Sequence, residues 1–243
     1  MARSKDKHTL YFETLEALQG GRCAACSLGK RAAHNYLDTL AYENVNNPTT
    51  RERTRKAQGL CRTHAWHLRH NGGVPGMFLV YRDVVRDVAE ALASAEPEKE
   101  SSAIGAALAK LRPSNGGSQA NASLVAELQP EGDCPACEQQ REAEAMYTDV
   151  LLEHLREPEF QEAFTKAGGI CLSHLRLALE RARGGETSRL LRRLERDCYA
   201  RLLQDLDTLI SRLDFFRREE GWADVAYAGI RALTVIAGED GLT

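Results

Sequence analysis

The sequence of 243 residues has no run of about eighteen consecutive apolar residues, the length that a membrane-spanning helix requires. The amino-terminal stretch Met1–His8 is polar and charged, so it also lacks the apolar core of a secretory signal peptide. These two absences predict a cytoplasmic protein with no membrane association. In that compartment thiols stay reduced, so closely spaced cysteines favour metal or redox chemistry over structural disulfides.

Signals for β-strands and for familiar catalytic sites are also missing. The sequence contains no Gly-x-Ser-x-Gly, no glycine loop that would hold a phosphate and no His-Glu-x-x-His. Apolar residues recur instead at the three- and four-residue spacing of amphipathic helices. We therefore expect an all-α protein that is not an enzyme.

The net charge is only -3, and its distribution differs between the two halves of the chain. Residues 1–95 carry 14 Lys and Arg against 9 Asp and Glu, whereas residues 134–243 carry 15 against 20. This asymmetry could orient a partner, but it is far weaker than the basic surface of a nucleic-acid-binding protein. We expect a protein partner rather than nucleic acid.

Six of the seven cysteines belong to a pattern that occurs twice. Each copy reads Cys-x-x-Cys, just over thirty residues, and then Gly-apolar-Cys-x-x-His. The copies are 111 residues apart at the first pair and 110 at the second, which indicates an internal duplication with one deletion. The eight repeated residues are Cys23, Cys26, Cys61 and His64 in the first copy and Cys134, Cys137, Cys171 and His174 in the second.

The two residues of each pair are three positions apart, which places both side chains on one face of a helix. Two such helices that cross bring three thiolates and one imidazole together, a set that suits tetrahedral zinc. We predict one Cys3His site within each repeat and two zinc ions per chain. Iron–sulfur clusters bound by the same residues stay open as the alternative. Buried free cysteines would not explain why eight residues recur in register.

The unrepeated cysteine and three unrepeated histidines serve as an internal control. They are Cys198, His34, His67 and His70, and their matching positions in the other copy hold neither cysteine nor histidine. We expect them to be core or surface residues rather than metal ligands.

The repeat predicts two helical modules joined by a linker. Residues 1–95 form the first module and residues 134–243 the second, which carries an extra helix near 221–237. Residues 96–133 are the linker, expected to be partly disordered because Pro, Gly and Ser interrupt it. A long helix at 75–95 has an apolar face formed by Phe78, Tyr81, Val85, Val88 and Leu92.

The duplicated motif resembles the bacterial DUF6062 family. The residues that carry the resemblance are Cys23-Ala-Ala-Cys26 with Gly59-Leu-Cys61-Arg-Thr-His64, and Cys134-Pro-Ala-Cys137 with Gly169-Ile-Cys171-Leu-Ser-His174. The resemblance covers nearly the whole chain, including the segment around Trp222. The family name denotes unknown function, so the resemblance implies the architecture and no reaction. For function we expect a metal-stabilised interaction or regulatory module, with an iron–sulfur redox or sensor protein as the alternative.

Overall fold

The computed structural model describes residues 6–44, 46–70, 74–95, 116–213 and 230–236. Within these ranges every regular element is a helix, which confirms the predicted all-α class. None of the helices in the same ranges is both long and apolar enough to cross a membrane.

The helices follow the two repeats along the chain. The first repeat contains α1 (Lys7–Gln19), α2 (Ala24–Thr39), a π-helical segment (Leu40–Asn44), α3 (Pro48–Lys56), α4 (Arg62–His70) and α5 (Val74–Ser94). After α6 (Gly116–Glu127), the second repeat contains α7 (Pro135–His154), α8 (Pro158–Ala167), α9 (Leu172–Arg181) and α10 (Gly185–Leu213).

Two of the predicted segments fall largely outside the described residues. Of the predicted linker, residues 96–115 lie outside them, and α6 occupies much of the rest. Residues 230–236 are helical, within the predicted helix 221–237, while the remainder of that helix and Trp222 lie outside the described ranges.

Short helices lead the chain to each Cys-x-x-His pair. Helix α3 begins with Pro48 after Asn47, whose side chain accepts hydrogen bonds from the backbone N–H groups of Thr49 and Thr50. Helix α8 likewise begins at a proline, and it ends at Ala167, after which Gly168 has a left-handed φ of 79°. The Asn47 cap and the two prolines define where the helices start, and Gly168 terminates α8 shortly before Cys171.

The helices form two compact units, which we call unit 1 and unit 2. Unit 1 contains residues 1–35 and 139–243, and unit 2 contains residues 36–138, so the boundaries fall inside α2 and α7. The core of unit 1 includes the fully buried Leu18, Leu155, Phe160, Phe164, Ile170 and Leu191. The core of unit 2 is made of Leu37, Leu40, Leu60, Leu68, Val80 and Ala136.

Each unit therefore combines parts of both repeats, which differs from the predicted division into residues 1–95 and 134–243. Helix length explains the difference. Helix α2 and the π-helical segment have 16 and 5 residues, and at about 1.5 Å per residue they carry the chain about 31 Å. Helix α3 has only 9 residues and covers about 13 Å. It is too short to lead the chain back to the start of α2.

The charge asymmetry between the repeats disappears when charges are counted by unit. Unit 1 contains 21 Lys and Arg against 22 Asp and Glu, and unit 2 contains 11 against 13. Both units are thus close to neutral. The predicted electrostatic difference between two modules does not apply to the units that the chain forms.

The apolar residues of α5 are placed differently from the prediction. Phe78 and Val85 are 63% exposed and Leu92 is 49% exposed, whereas Val80 and Ala91 are buried. Helix α5 carries one broad apolar face, wider than the stripe that packs on the core. Periodicity alone could not show which stripe of such a helix would face the core.

Candidate metal centres

All four cysteine-containing pairs lie at the amino-terminal ends of helices. Cys23, Cys61, Cys134 and Cys171 directly precede the first residues of α2, α4, α7 and α9, respectively. The second residue of each pair lies in the first helical turn. The first N–H groups of a helix have no partner within the helix, and together with its dipole they favour a negatively charged sulfur at this end.

Site 1 lies in unit 1 and consists of Cys23, Cys26, Cys171 and His174, all of them buried. The Nδ1 atom of His174 lies 3.1 Å from the sulfur of Cys171, 3.3 Å from that of Cys26 and 3.5 Å from that of Cys23. The sulfurs of Cys26 and Cys171 are 3.6 Å apart. One Cys-x-x-Cys pair and one Cys-x-x-His pair thus converge on a single point.

Site 2 lies in unit 2 and consists of Cys61, His64, Cys134 and Cys137. The Nδ1 atom of His64 lies 3.3 Å from the sulfurs of Cys61 and Cys137 and 3.6 Å from that of Cys134. The sulfurs of Cys61 and Cys137 are 3.7 Å apart. His64 is buried, whereas the three cysteines are half-buried.

The structure brings all eight predicted residues into two Cys3His groups, but the pairing within each repeat was predicted wrongly. Each group takes its Cys-x-x-Cys from one repeat and its Cys-x-x-His from the other. The physical reason is the length of α2 and α7, which separates the two pairs of the same repeat. We call this arrangement crossed pairing.

The distances in both groups match the edges of a tetrahedron around a single ion. Bonds of about 2.3 Å to sulfur and about 2.0 Å to nitrogen place two sulfurs about 3.8 Å apart and a sulfur and a nitrogen about 3.5 Å apart. The potential ligand atoms of each group all lie within 4.8 Å of one another. A disulfide would need about 2.05 Å between sulfurs, and none of the seven cysteines is in a disulfide. The donors therefore fit a metal ion better than a disulfide.

Comparison with known proteins identifies the family of this chain. Residues 13–241 match the family described as "Family of unknown function (DUF6062)". The chain belongs to the DUF6062 family. It is also similar to a protein described as "Uncharacterized 23.9 kDa protein in xynA 3'region" from Caldicellulosiruptor sp. (strain Rt8B.4), with 26% identity over 202 residues, 83% of this chain and 87% of the relative. No solved structure matches the chain.

The glycine before each Cys-x-x-His in this DUF6062 chain has a left-handed backbone, with φ of 98° at Gly59 and 84° at Gly169. The N–H group of the next residue, which is buried, donates a hydrogen bond to a side chain of the second helix after the turn. In site 1 the acceptor is the Glu195 carboxylate, 2.9 Å from the nitrogen of Ile170. In site 2 it is the Tyr81 hydroxyl, 3.3 Å from the nitrogen of Leu60. These acceptors fix the backbone directly before the first cysteine.

In site 1 a carboxylate also orients the histidine. Nδ1 of His174 faces the thiols, and Nε2 lies 3.5 Å from the Glu144 carboxylate. A histidine that binds a metal commonly donates its second ring N–H to such a carboxylate, which fixes the ring and its tautomer. Gly29 on α2 allows the close approach of Glu144, because a Cβ atom at Gly29 would lie 2.5 Å from the Glu144 side chain.

The first repeat has no counterpart of Glu144. The residue that aligns with it at an offset of 111 is Ala33. Motif spacing could not reveal Glu144, Glu195 or Tyr81, because none of them is repeated. The two sites therefore have the same types of donor residue and differ in the residues that contact those donors.

Thiols that lie this close together cannot all ionise unless a cation offsets their charge. In site 1, hydrogen bonds with Cys171 and Cys26 raise the pKa of Cys23 well above its usual value. In site 2, burial and then the charge of Cys134 raise the pKa of Cys137 to about 12. Burial also raises the pKa of Cys134, but hydrogen bonds from His64 and from backbone N–H groups outweigh it and lower the pKa to about 6.

The residues predicted to lie outside the sites do so. Within the described ranges Cys198, His34, His67 and His70 belong to neither Cys3His group. Cys198 is buried on α10, where its sulfur lies 3.3 Å from Nη2 of Arg201. Cys198 therefore offers a cysteine control for experiments on either site.

Proposed function

We propose that this DUF6062 protein binds two zinc ions, one in each Cys3His group, and acts as a metal-stabilised interaction or regulatory module of the cytoplasm. The observation that carries the zinc assignment is the match between the ligand-atom distances and the edges of a zinc tetrahedron. Cys23, Cys26, Cys171 and His174 would bind one ion. Cys61, His64, Cys134 and Cys137 would bind the other.

The same distances favour a single ion over an iron–sulfur cluster. A cluster binds its thiolates through several iron atoms, so it holds the ligand atoms further apart than four donors around one ion. All donors of each group lie within 4.8 Å of one another. This spacing leaves no volume for bridging sulfides between the protein ligands.

A structural role fits the donor count better than a catalytic one. Four protein donors complete the tetrahedral shell of zinc, whereas catalytic zinc keeps one position for water or substrate. Each ion would also join helices that are distant in sequence, since Cys26 and Cys171 are 145 residues apart and Cys61 and Cys137 are 76 residues apart. Structural zinc typically contributes about 10–16 kcal/mol, as much as the net stability of about 5–15 kcal/mol of a whole domain.

Metal analysis of the purified protein tests this assignment. Protein purified without oxygen should be colourless and contain two zinc ions per chain. Cys26→Ser and Cys137→Ser should each reduce the content to one ion, while the control Cys198→Ser should keep two. Iron and acid-labile sulfide in a brown preparation would contradict the zinc assignment and favour the iron–sulfur alternative.

The exposed face of α5 supports the interaction role. Phe78, Val85 and Leu92 are exposed and seven residues apart, so they lie along one side of the helix. Their spacing of seven residues is the heptad period of the helices that pair in coiled coils. The partner that fits this face is an amphipathic helix of another protein.

Site-specific photo-crosslinking in cells tests the interaction role. A crosslinking amino acid at Phe78 and one at Val85 should capture the same protein at a fixed stoichiometry. The control position is Leu179, an exposed leucine in unit 1, which should capture no such protein. Different proteins at Phe78 and Val85, or equal capture at Leu179, would contradict the proposed docking face.

A further inference from the structure

The cysteines of the two sites differ in their access to solvent. Cys23, Cys26 and Cys171 of site 1 are buried, at 4%, 8% and 2% relative exposure. Cys61, Cys134 and Cys137 of site 2 are only half-buried. A dissolved reagent must touch a sulfur atom to react with it, so the same reagent meets site 2 first.

The residues that contact the metal ligands also differ between the sites, and they too favour tighter metal binding at site 1. The Glu144 carboxylate lies beside Nε2 of His174 in site 1, and no carboxylate forms an ion pair with His64 in the described part of the chain. Loss of such a carboxylate typically weakens metal binding 10- to 100-fold. Burial and histidine orientation are separate properties, and both protect site 1 more than site 2.

We propose that the sites have different roles: site 1 holds its zinc permanently, and site 2 releases its zinc when hydrogen peroxide oxidises its thiolates. This inference rests on the proposed function, because it requires zinc in both sites. Site 2 would thereby be a redox-regulated metal site, and its state would control α4, α5 and the first turn of α7 in unit 2.

The oxidation at site 2 involves Cys137 and a neighbouring thiolate, with Cys61 at 3.7 Å. One zinc-bound thiolate attacks a peroxide oxygen, the O–O bond breaks, and a sulfenic acid and water form after proton uptake. The second thiolate attacks the sulfenic sulfur, the S–S bond forms, and a second water leaves. Two thiolates, one hydrogen peroxide and two protons thus give one disulfide and two waters. Zinc loses two ligands and dissociates.

Zinc release from the full-length protein under hydrogen peroxide tests the proposal. A chromogenic chelator in the solution reports each released ion. We expect one equivalent of zinc to leave in a fast phase and the second at least about tenfold more slowly, given the 10- to 100-fold effect of histidine orientation alone. Cys26→Ser should retain only the fast phase, and Cys137→Ser only the slow phase.

Disulfide mapping supplies a second measurement that needs no variant. After one equivalent has left, mass spectrometry of the alkylated wild-type protein should find Cys137 in a disulfide within site 2. The cysteines of site 1 should be recovered as thiols. Release of both ions at one rate, a first disulfide in site 1, or no release at all would overturn the proposal. Protein that contains no zinc before the oxidant is added would instead contradict the proposed function.

Discussion

Crossed pairing predicts which double variants lose one zinc ion and which lose two. Sharing the typical 10–16 kcal/mol of a structural zinc site among four ligands gives about 2.5–4 kcal/mol for each ligand. That loss weakens binding roughly 10²- to 10³-fold. A single Cys→Ser change should therefore empty its site in the presence of a competing chelator and leave the other site filled.

Two double variants separate crossed pairing from pairing within a repeat. Cys26→Ser with Cys171→Ser changes both repeats but only site 1, so the protein should keep one zinc ion. Cys26→Ser with Cys61→Ser changes only the first repeat but both sites, so the protein should keep none. Pairing within each repeat predicts the reverse result for the two variants.

The assay measures the number of zinc ions per chain by atomic emission. The protein is first incubated with a chelator of intermediate affinity and separated from it by gel filtration. Cys198→Ser is the control for the loss of a buried cysteine, and it should keep two ions. The single variants calibrate the scale at one ion each. A Cys26→Ser, Cys171→Ser protein without zinc, beside a Cys26→Ser, Cys61→Ser protein with one ion, would refute the geometry.

Three further predictions concern residues near site 1. Gly169→Ala should lose zinc from site 1, because φ is 84° and the new Cβ would lie 2.5 Å from the Glu195 carboxylate. The control is Gly184→Ala, where φ is 98° but no atom lies near the new Cβ. This control should lose only about 1–2 kcal/mol of stability and keep its zinc. Glu144→Ala should weaken zinc binding at site 1 by 10- to 100-fold in chelator competition, and the exposed Glu142→Ala on the same helix should not. Burial raises the pKa of Glu195 from 4.5 to about 7 in the folded protein. The stability that the protonated carboxyl contributes is therefore fully present below about pH 4.5, the unfolded value, and is lost as the pH rises through 7. Urea denaturation should therefore show Glu195→Gln more stable than the parent by up to about 3 kcal/mol at pH 8 and nearly equal to it at pH 4.5.

The sequence was sufficient to predict features that local chemistry determines. Pro48 and Pro158 mark the starts of α3 and α8, and glycines mark the turns before both Cys-x-x-His pairs. Because each cysteine pair opens a helix, its ligands could be assigned from a spacing of three residues. The all-α class and the identity of the eight donor residues, but not their division between the two sites, followed from such local signals.

Features that depend on long-range geometry could not be predicted. The duplication leaves two ways to combine the pairs, and periodicity does not distinguish between them. The choice depends on how far α2 and α7 carry the chain compared with the short helices that follow them, and the motif spacing contains no information on these lengths. The same limit applies to Glu144 and Glu195, which approach site 1 from elements distant in sequence and have no repeated signal.

Crossed pairing costs little chain entropy compared with what a metal ion contributes. Joining Cys26 to Cys171 closes a loop of 145 residues, whereas joining Cys26 to Cys61 would close one of 35. Because loop-closure entropy grows as the logarithm of length, the longer loop costs only about 1.3 kcal/mol more. One zinc ion outweighs this difference about tenfold. The geometry of the long helices, rather than proximity in sequence, therefore determines which ligands meet, and each ion stabilises elements from both repeats at once.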